Sequence, residues 1–210
     1  TRQLMLNHKK QGRPVFIAKD TRRSGDMIEH AVAAGVASMG AEARLLGVLP
    51  TPAVAFVTRE LQGMGGIMIS ASHNPFSDNG IKIFGPDGYK ISDDVEEAIE
   101  KELVAGGKAD QPTGREIGFV SHDDSSASFW LSNLARVAGE NVGSRRLKIA
   151  LDCANGALSK WAPKFFADLG YSVDAIGVNP DGININDGCG SICISAILNV
   201  MKKEHFDIGF

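Results

Sequence analysis

Several features are scarce in this chain, and each scarcity removes a class of function. It has three cysteines, Cys153, Cys189 and Cys193, too few and too unevenly placed for a disulfide framework. No apolar run approaches the ~20 residues that a membrane span needs. Positive charge is not in excess: 22 Lys and Arg stand against 25 Asp and Glu, for a net −3. A broad basic footprint for nucleic acid is therefore excluded, whereas a local cationic pocket for an anionic substrate is not. A glycine-rich phosphate loop and a dinucleotide fingerprint are both missing, and no serine sits in a G-x-S-x-G elbow. Residues 1–10 lack the layout of a secretory signal. A reducing cytoplasm is the expected compartment, with neither nucleic acid nor a membrane as partner.

What is present is an ordinary globular composition, 43% apolar and 22% charged over 210 residues, enough to bury a proper core. Strand and helix patterns alternate. Val15-Phe16-Ile17-Ala18 fits a buried strand. Ser24 is placed to cap a helix with apolar positions Ile28, Val32, Val36 and Met39. Strands are expected at 43–49, 66–70 and 80–84, with a short helix at 53–61 and an acidic one at 93–103, capped by Ser92 and carrying a Glu97–Lys101 pair. Residues 106–126 are rich in Gly, Asp and Ser and read as a linker or irregular crossing. Beyond it lie a helix at 127–138, a strand at 147–151, a helix at 157–169, a strand at 173–178, a polar loop at 179–191, a helix at 196–203 and the start of a strand at 206–210. The fold class is α/β, with two consecutive units: residues 1–125, and residues 126–210, the second incomplete. The chain ends in mid-strand and lacks an initiating Met, and so reads as a piece of a longer protein.

In open α/β sheets ligands gather at the carboxyl ends of strands, so the loops after Ala18, Ile69 and Leu151 are the places to look. The most informative is Ser70-Ala71-Ser72-His73-Asn74-Pro75-Phe76-Ser77-Asp78-Asn79-Gly80-Ile81-Lys82. Pro75 keeps Asn74 out of the helical region, and Asn79-Gly80 permits a tight reversal. Period-two alternation sets Lys82 opposite Ile81 and Ile83, with its ammonium free to turn back towards Ser72. Taken bare, this is either a polar surface loop with Lys82 snorkelling to water or a site built on the Ser72 hydroxyl.

That segment resembles the phosphoserine loop of the α-D-phosphohexomutases. Lys19-Asp20-Thr21-Arg22-Arg23-Ser24-Gly25 is similar to a D-T-R-x-S-G motif of the same family, with Lys19 where Arg is more usual. The wording of Pro50-Thr51-Pro52-Ala53, Asp152-Cys153-Ala154-Asn155-Gly156-Ala157, Pro180-Asp181-Gly182-Ile183-Asn184-Ile185-Asn186 and Cys189-Gly190-Ser191 resembles the glucosamine-phosphate branch more than the mannose and glucose branches. The resemblance implies two phosphohexomutase-type α/β domains, each a mixed sheet between helices. It implies interconversion of glucosamine 6-phosphate and glucosamine 1-phosphate through a 1,6-bisphosphate, for UDP-N-acetylglucosamine and cell-wall synthesis. Ser72 would be the phosphoserine that donates and recovers the phosphoryl group, and its phosphate would help to hold Mg²⁺. Lys82 would neutralise developing charge or assist proton transfer. His73 is placed for a chemical or a loop-shaping role, Asn74 for supporting the loop and the phosphate, and Arg22 for an anion site at a helix N-terminus or a salt bridge. The resemblance also allows a homodimer.

Departures from the family pattern set limits. The D-G-D-G-D-R loop whose aspartates hold the metal is absent, and Asp20, Asp78, Asp87, Asp152 and Asp181 do not stand in that pattern. Ile192 follows Ser191 where Thr is usual. Cys189 and Cys193 lack matching His or Cys partners for zinc. These 210 residues alone are expected to give no mutase turnover. A mannose- or glucose-phosphate mutase, or a non-catalytic sugar-phosphate binding module, are the competing readings.

Overall fold

A computed structural model describes residues 12–105, 112–139 and 146–210. Residues 106–111 of the expected linker lie outside the described residues. The first unit runs β1 (Val15–Lys19), α1 (Ser24–Ser38), β2 (Ala43–Val48), α2 (Thr51–Glu60), β3 (Gly65–Ile69), β4 (Ile81–Phe84), α3 (Asp93–Val104), a 3-10 turn (Gly114–Glu116), β5 (Val120–His122) and α4 (Ser126–Ala138). The second runs β6 (Lys148–Asp152), α5 (Ala162–Asp168), β7 (Ser172–Ile176), α6 (Ser195–Met201) and β8 (Ile208–Gly209).

The first sheet has the order β4-β3-β1-β2-β5. β1 pairs in parallel with β2 and β3, β2 in parallel with β5, and only β4 runs antiparallel, against β3. β1 is central, so both its faces are buried, and its run Val-Phe-Ile-Ala is fully enclosed. Alternation then sorts the layers. Val15 and Ile17 pack with Ala33 and Val36 of α1. Phe16 and Ala18 pack with Ala53, Val54 and Val57 of α2 and with Ala127 and Trp130 of α4. The second sheet, β7-β6-β8, is parallel throughout. Ile149 and Leu151 face Phe166 of α5 on one side, and Ala150 faces Ile197 of α6 on the other.

α4 packs on the first unit's core through Ala127 and Trp130. Three expectations are corrected. The segment expected to be irregular contains β5, whose Val120, Ser121 and His122 extend the sheet beside β2. The helix expected from 157 begins only at Ala162, with Pro163 in its first turn; residues 154–161 form turns, with Ala154 and Asn155 left-handed at φ 53° and 50°. Ser24 does not cap α1, because Arg23 holds the cap position and no side chain closes it. Instead the Ser24 hydroxyl accepts the Asn79 amide at 2.9 Å.

Candidate active site

The chain leaves the first sheet at Ser70, and the β3–β4 pair returns it at Ile81, opposite Ile69. The Ser70 amide donates to the Gly80 carbonyl at 2.8 Å and closes the neck of the loop. Inside it, the Ser72 amide donates to Ser70 Oγ at 3.0 Å. Ser72 itself is exposed, with φ 56°, a left-handed conformation that costs a residue bearing a Cβ. The Asn74 side-chain amide donates to Asp78 Oδ2 at 3.0 Å.

Arg22 holds this loop from below, and its side chain is fully buried. Nε donates to Asp20 Oδ2 at 2.9 Å. Nη1 donates to the carbonyls of Pro75 and, at 3.0 Å, Asp78. Nη2 donates to the carbonyls of Ser72 at 2.9 Å and Asn74 at 3.0 Å. A guanidinium has five N–H donors, and each is used inside the protein. Of the two readings open for Arg22, an anion site or a salt bridge, the structure shows the ion pair with Asp20, and the remaining donors hold the serine loop. The Asn74 side-chain amide gives one of its two N–H donors to Asp78 and so braces the loop.

The loop overhangs a cleft of about 630 Å³ formed where the carboxyl ends of β1, β3 and β6 meet. Ser72 and His73 stand on its first-unit side, Ala154, Asn186 and Gly190 on the other, and Met68, Leu151, Phe166 and Phe210 give it an apolar floor. Ser72 and His73 are thus brought together. Lys82 is half-buried on β4, with Nζ 3.5 Å from the Ser70 carbonyl, at the base of the loop. Among the described residues no lysine or arginine lines the cleft.

The phosphoserine resemblance implies a metal, and the carboxylates that line the cleft are engaged within the protein. Both Asp20 oxygens accept from Arg22. Asp152 Oδ1 accepts from the Ala154 amide at 2.9 Å and Oδ2 from the Gly190 amide at 2.7 Å. Among the described residues no three His, Cys, Asp or Glu side chains converge. These residues do not form a metal site on their own; phosphate oxygens on Ser72 would add a hard ligand at the cleft. Cys153, beneath the cleft, is no rival nucleophile, because burial and then the Asp152 charge push its thiol up to about 11.

Sequence reasoning missed Asn186. Its side-chain amide donates to the carbonyls of Ser72 and Asn74, both at 3.0 Å. The loop that carries it braces itself: Asp181 Oδ1 accepts the Ile183 and Asn184 amides at 2.9 Å. Asn-Pro-Asp-Gly at 179–182 signals a turn, but nothing local signals a partner more than a hundred residues away.

Residues 3–110 match the family model described as phosphoglucomutase/phosphomannomutase, alpha/beta/alpha domain I. A phosphoglucosamine mutase from Brevibacillus brevis is 46% identical over 208 residues, which is 98% of this chain and 46% of that protein. One from Caulobacter vibrioides is 46% identical over 195 residues, 93% of this chain and 44% of that protein. The chain thus spans a little under half the length of these curated relatives. A phosphoglucomutase/phosphomannomutase family protein from Burkholderia thailandensis has the same fold at a TM-score of 0.79 and 23% identity, over 99% of this chain and 46% of that one.

Proposed function

Given that this chain belongs to the phosphoglucomutase/phosphomannomutase family, we propose that it supplies the phosphoserine half of a phosphoglucosamine mutase. The observation that carries the reading is Ser72: an exposed hydroxyl held left-handed at the lip of the cleft, on a loop whose carbonyls are clamped from below. The relatives of that name, at 46% identity, support glucosamine phosphates over mannose or glucose phosphates.

Phosphorylated Ser72 transfers its phosphoryl group to the C1 hydroxyl of glucosamine 6-phosphate. The P–O bond to Ser72 breaks, a P–O bond to the sugar forms, and the sugar's proton leaves to the serine oxygen or to a nearby base. The resulting 1,6-bisphosphate turns in the cleft, and its 6-phosphate returns to Ser72. Such transfer depends on positioning and charge stabilisation more than on covalent assistance from side chains. Lys82 keeps positive charge at the base of the serine loop, and His73 borders the path of the transferred proton. When bound, Mg²⁺ would neutralise charge on the phosphoryl oxygens. Its ligands would be the Ser72 phosphate and carboxylates from outside the described residues. We further propose two domains, with α4 counted in the first on its packing, and a cytoplasmic setting supported by the three unpaired cysteines. No helix among the described residues is long and apolar enough to cross a membrane.

The test is intact-mass and phosphopeptide analysis of the full-length protein, with turnover of glucosamine 6-phosphate. The expected result is one phosphate, on Ser72, and a loss of about 10³-fold or more in Ser72→Ala. Retained turnover in Ser72→Ala would sink the reading.

A further inference from the structure

We propose that Asn186 is a positioning residue for phosphoryl transfer at Ser72, the group through which the second unit holds the reactive loop in register with the cleft. This rests on the phosphoserine mutase reading. The carbonyls of Ser72 and Asn74 can each accept two hydrogen bonds, and each accepts two. One comes from Arg22 Nη2, at 2.9 and 3.0 Å, and fixes the loop to the first sheet. The other comes from Asn186 Nδ2, at 3.0 Å in both cases, and fixes it to the second. Both protons of the Asn186 amide are used, one on each carbonyl.

The second unit, not the loop, sets where Asn186 sits. Its backbone amide donates to the Ala154 carbonyl at 2.9 Å. It is left-handed at φ 60°, a conformation asparagine tolerates better than most residues. Gly190 closes against the same turn at φ 79°, and a Cβ there would lie 2.7 Å from the Ala154 Cβ. Asn186 is therefore a fixed post on the second unit, and any shift of that unit passes to the backbone of Ser72. One clamped carbonyl is that of Ser72 itself and the other lies two residues on, so the Ser72 hydroxyl is tied closely to both. In transfer chemistry a displacement of about 1 Å can cost about 10²-fold in rate. Aspartate at 186 keeps the size but sets carboxylate oxygens against carbonyl oxygens and loses both donors.

The experiment compares full-length wild type, Asn186→Asp and Thr21→Val. The last removes a different cross-unit bond, from Thr21 Oγ1 to the Asn155 carbonyl at 2.5 Å. Two readouts are taken: amide hydrogen exchange over residues 71–79, and steady-state kinetics on glucosamine 6-phosphate. In Asn186→Asp the loop is expected to exchange about tenfold faster or more. kcat should fall about tenfold or more with KM within about threefold. Thr21→Val should leave both readouts within about twofold of wild type. Unchanged loop exchange in Asn186→Asp overturns the proposal. So does a loss carried by KM, which would make Asn186 a sugar ligand, or an equal loss in Thr21→Val, which would make it a general docking contact. If wild type itself turns over no glucosamine phosphate, the mutase reading fails, and the exchange comparison alone still decides whether Asn186 holds the loop.

Discussion

A left-handed serine at φ 56° stores about 1 kcal/mol of backbone strain, which the fold keeps in place by saturating the serine's own carbonyl and that of Asn74. Ser72→Gly removes the strain with the hydroxyl. The variant is expected to gain about 1 kcal/mol in urea unfolding and to carry no phosphate by intact mass. A loss of stability would show that the hydroxyl, not the backbone, anchors the loop. Arg22 lies on the other side of this balance. Arg22→Lys offers three donors where five are used, so at least two of the buried acceptors lose their bond. A loss of about 2–4 kcal/mol is expected in the same assay. A variant as stable as wild type would refute the clamp. The type of residue at 22 was legible in the sequence, as was its place beside a helix N-terminus. Its destination was not, because the four carbonyls it holds lie 50–56 positions along the chain and no local spacing encodes them.

At the level of elements, the buried strands were the most legible, since runs such as Val15-Phe16-Ile17-Ala18 exclude other readings. β5 was hidden for the converse reason: it is three residues long, lies at the sheet edge, and is half-exposed or exposed. α5 was expected five residues early, because turn residues 157–161 share the composition of the helix they precede. The start of α4 was found, but not the residue that secures it. Asp123 lies two residues before the helix cap. Its carboxylate accepts the amides of Ser125 and Ser126, at 2.8 and 3.0 Å, and both their hydroxyls. Burial alone would raise its pKa, but these four bonds outweigh it and hold the carboxyl below its ordinary value. A depressed carboxyl contributes stability that is present above its unfolded pKa of about 4 and fades as pH falls through the folded value. Asp123→Ala should therefore cost about 1 kcal/mol at pH 7. The gap from wild type should narrow on acidification below pH ~4. Urea midpoints of both proteins at pH 7, 5 and 3 check the sign; a gap that widens in acid would refute it.

Two alternating α/β runs could be read from the sequence, but the junction between them could not, because each of its contacts joins residues far apart in the chain. It is made largely of backbone and side-chain hydrogen bonds. The Arg23 amide donates to the Gly182 carbonyl at 2.8 Å, a close approach that the φ of 95° at Gly182 permits. Trp161 is an apolar anchor of the junction. The ring lies against the first unit's core, and Nε1 donates to the Val48 carbonyl at 3.0 Å. An aromatic with one polar handle suits such a half-wet junction. If Trp161 couples the two units, Trp161→Ala should uncouple their unfolding at a cost of about 2 kcal/mol, below the value for a fully buried tryptophan because Trp161 is half-exposed. The chain offers a separate reporter for each side. Trp130, the other of its two tryptophans, is buried in the first core, and Cys153 is buried in the second. In wild type, fluorescence and Cys153 labelling should change at the same urea concentration. In Trp161→Ala, Cys153 should become reactive about 1 M earlier than the Trp130 signal moves, taking an m-value of about 2 kcal/mol/M. Midpoints that shift together would mean that the hydrogen bonds, Asn186 among them, hold the units as one cooperative body without the indole. The cleft geometry would then belong to the whole molecule rather than to one anchoring ring.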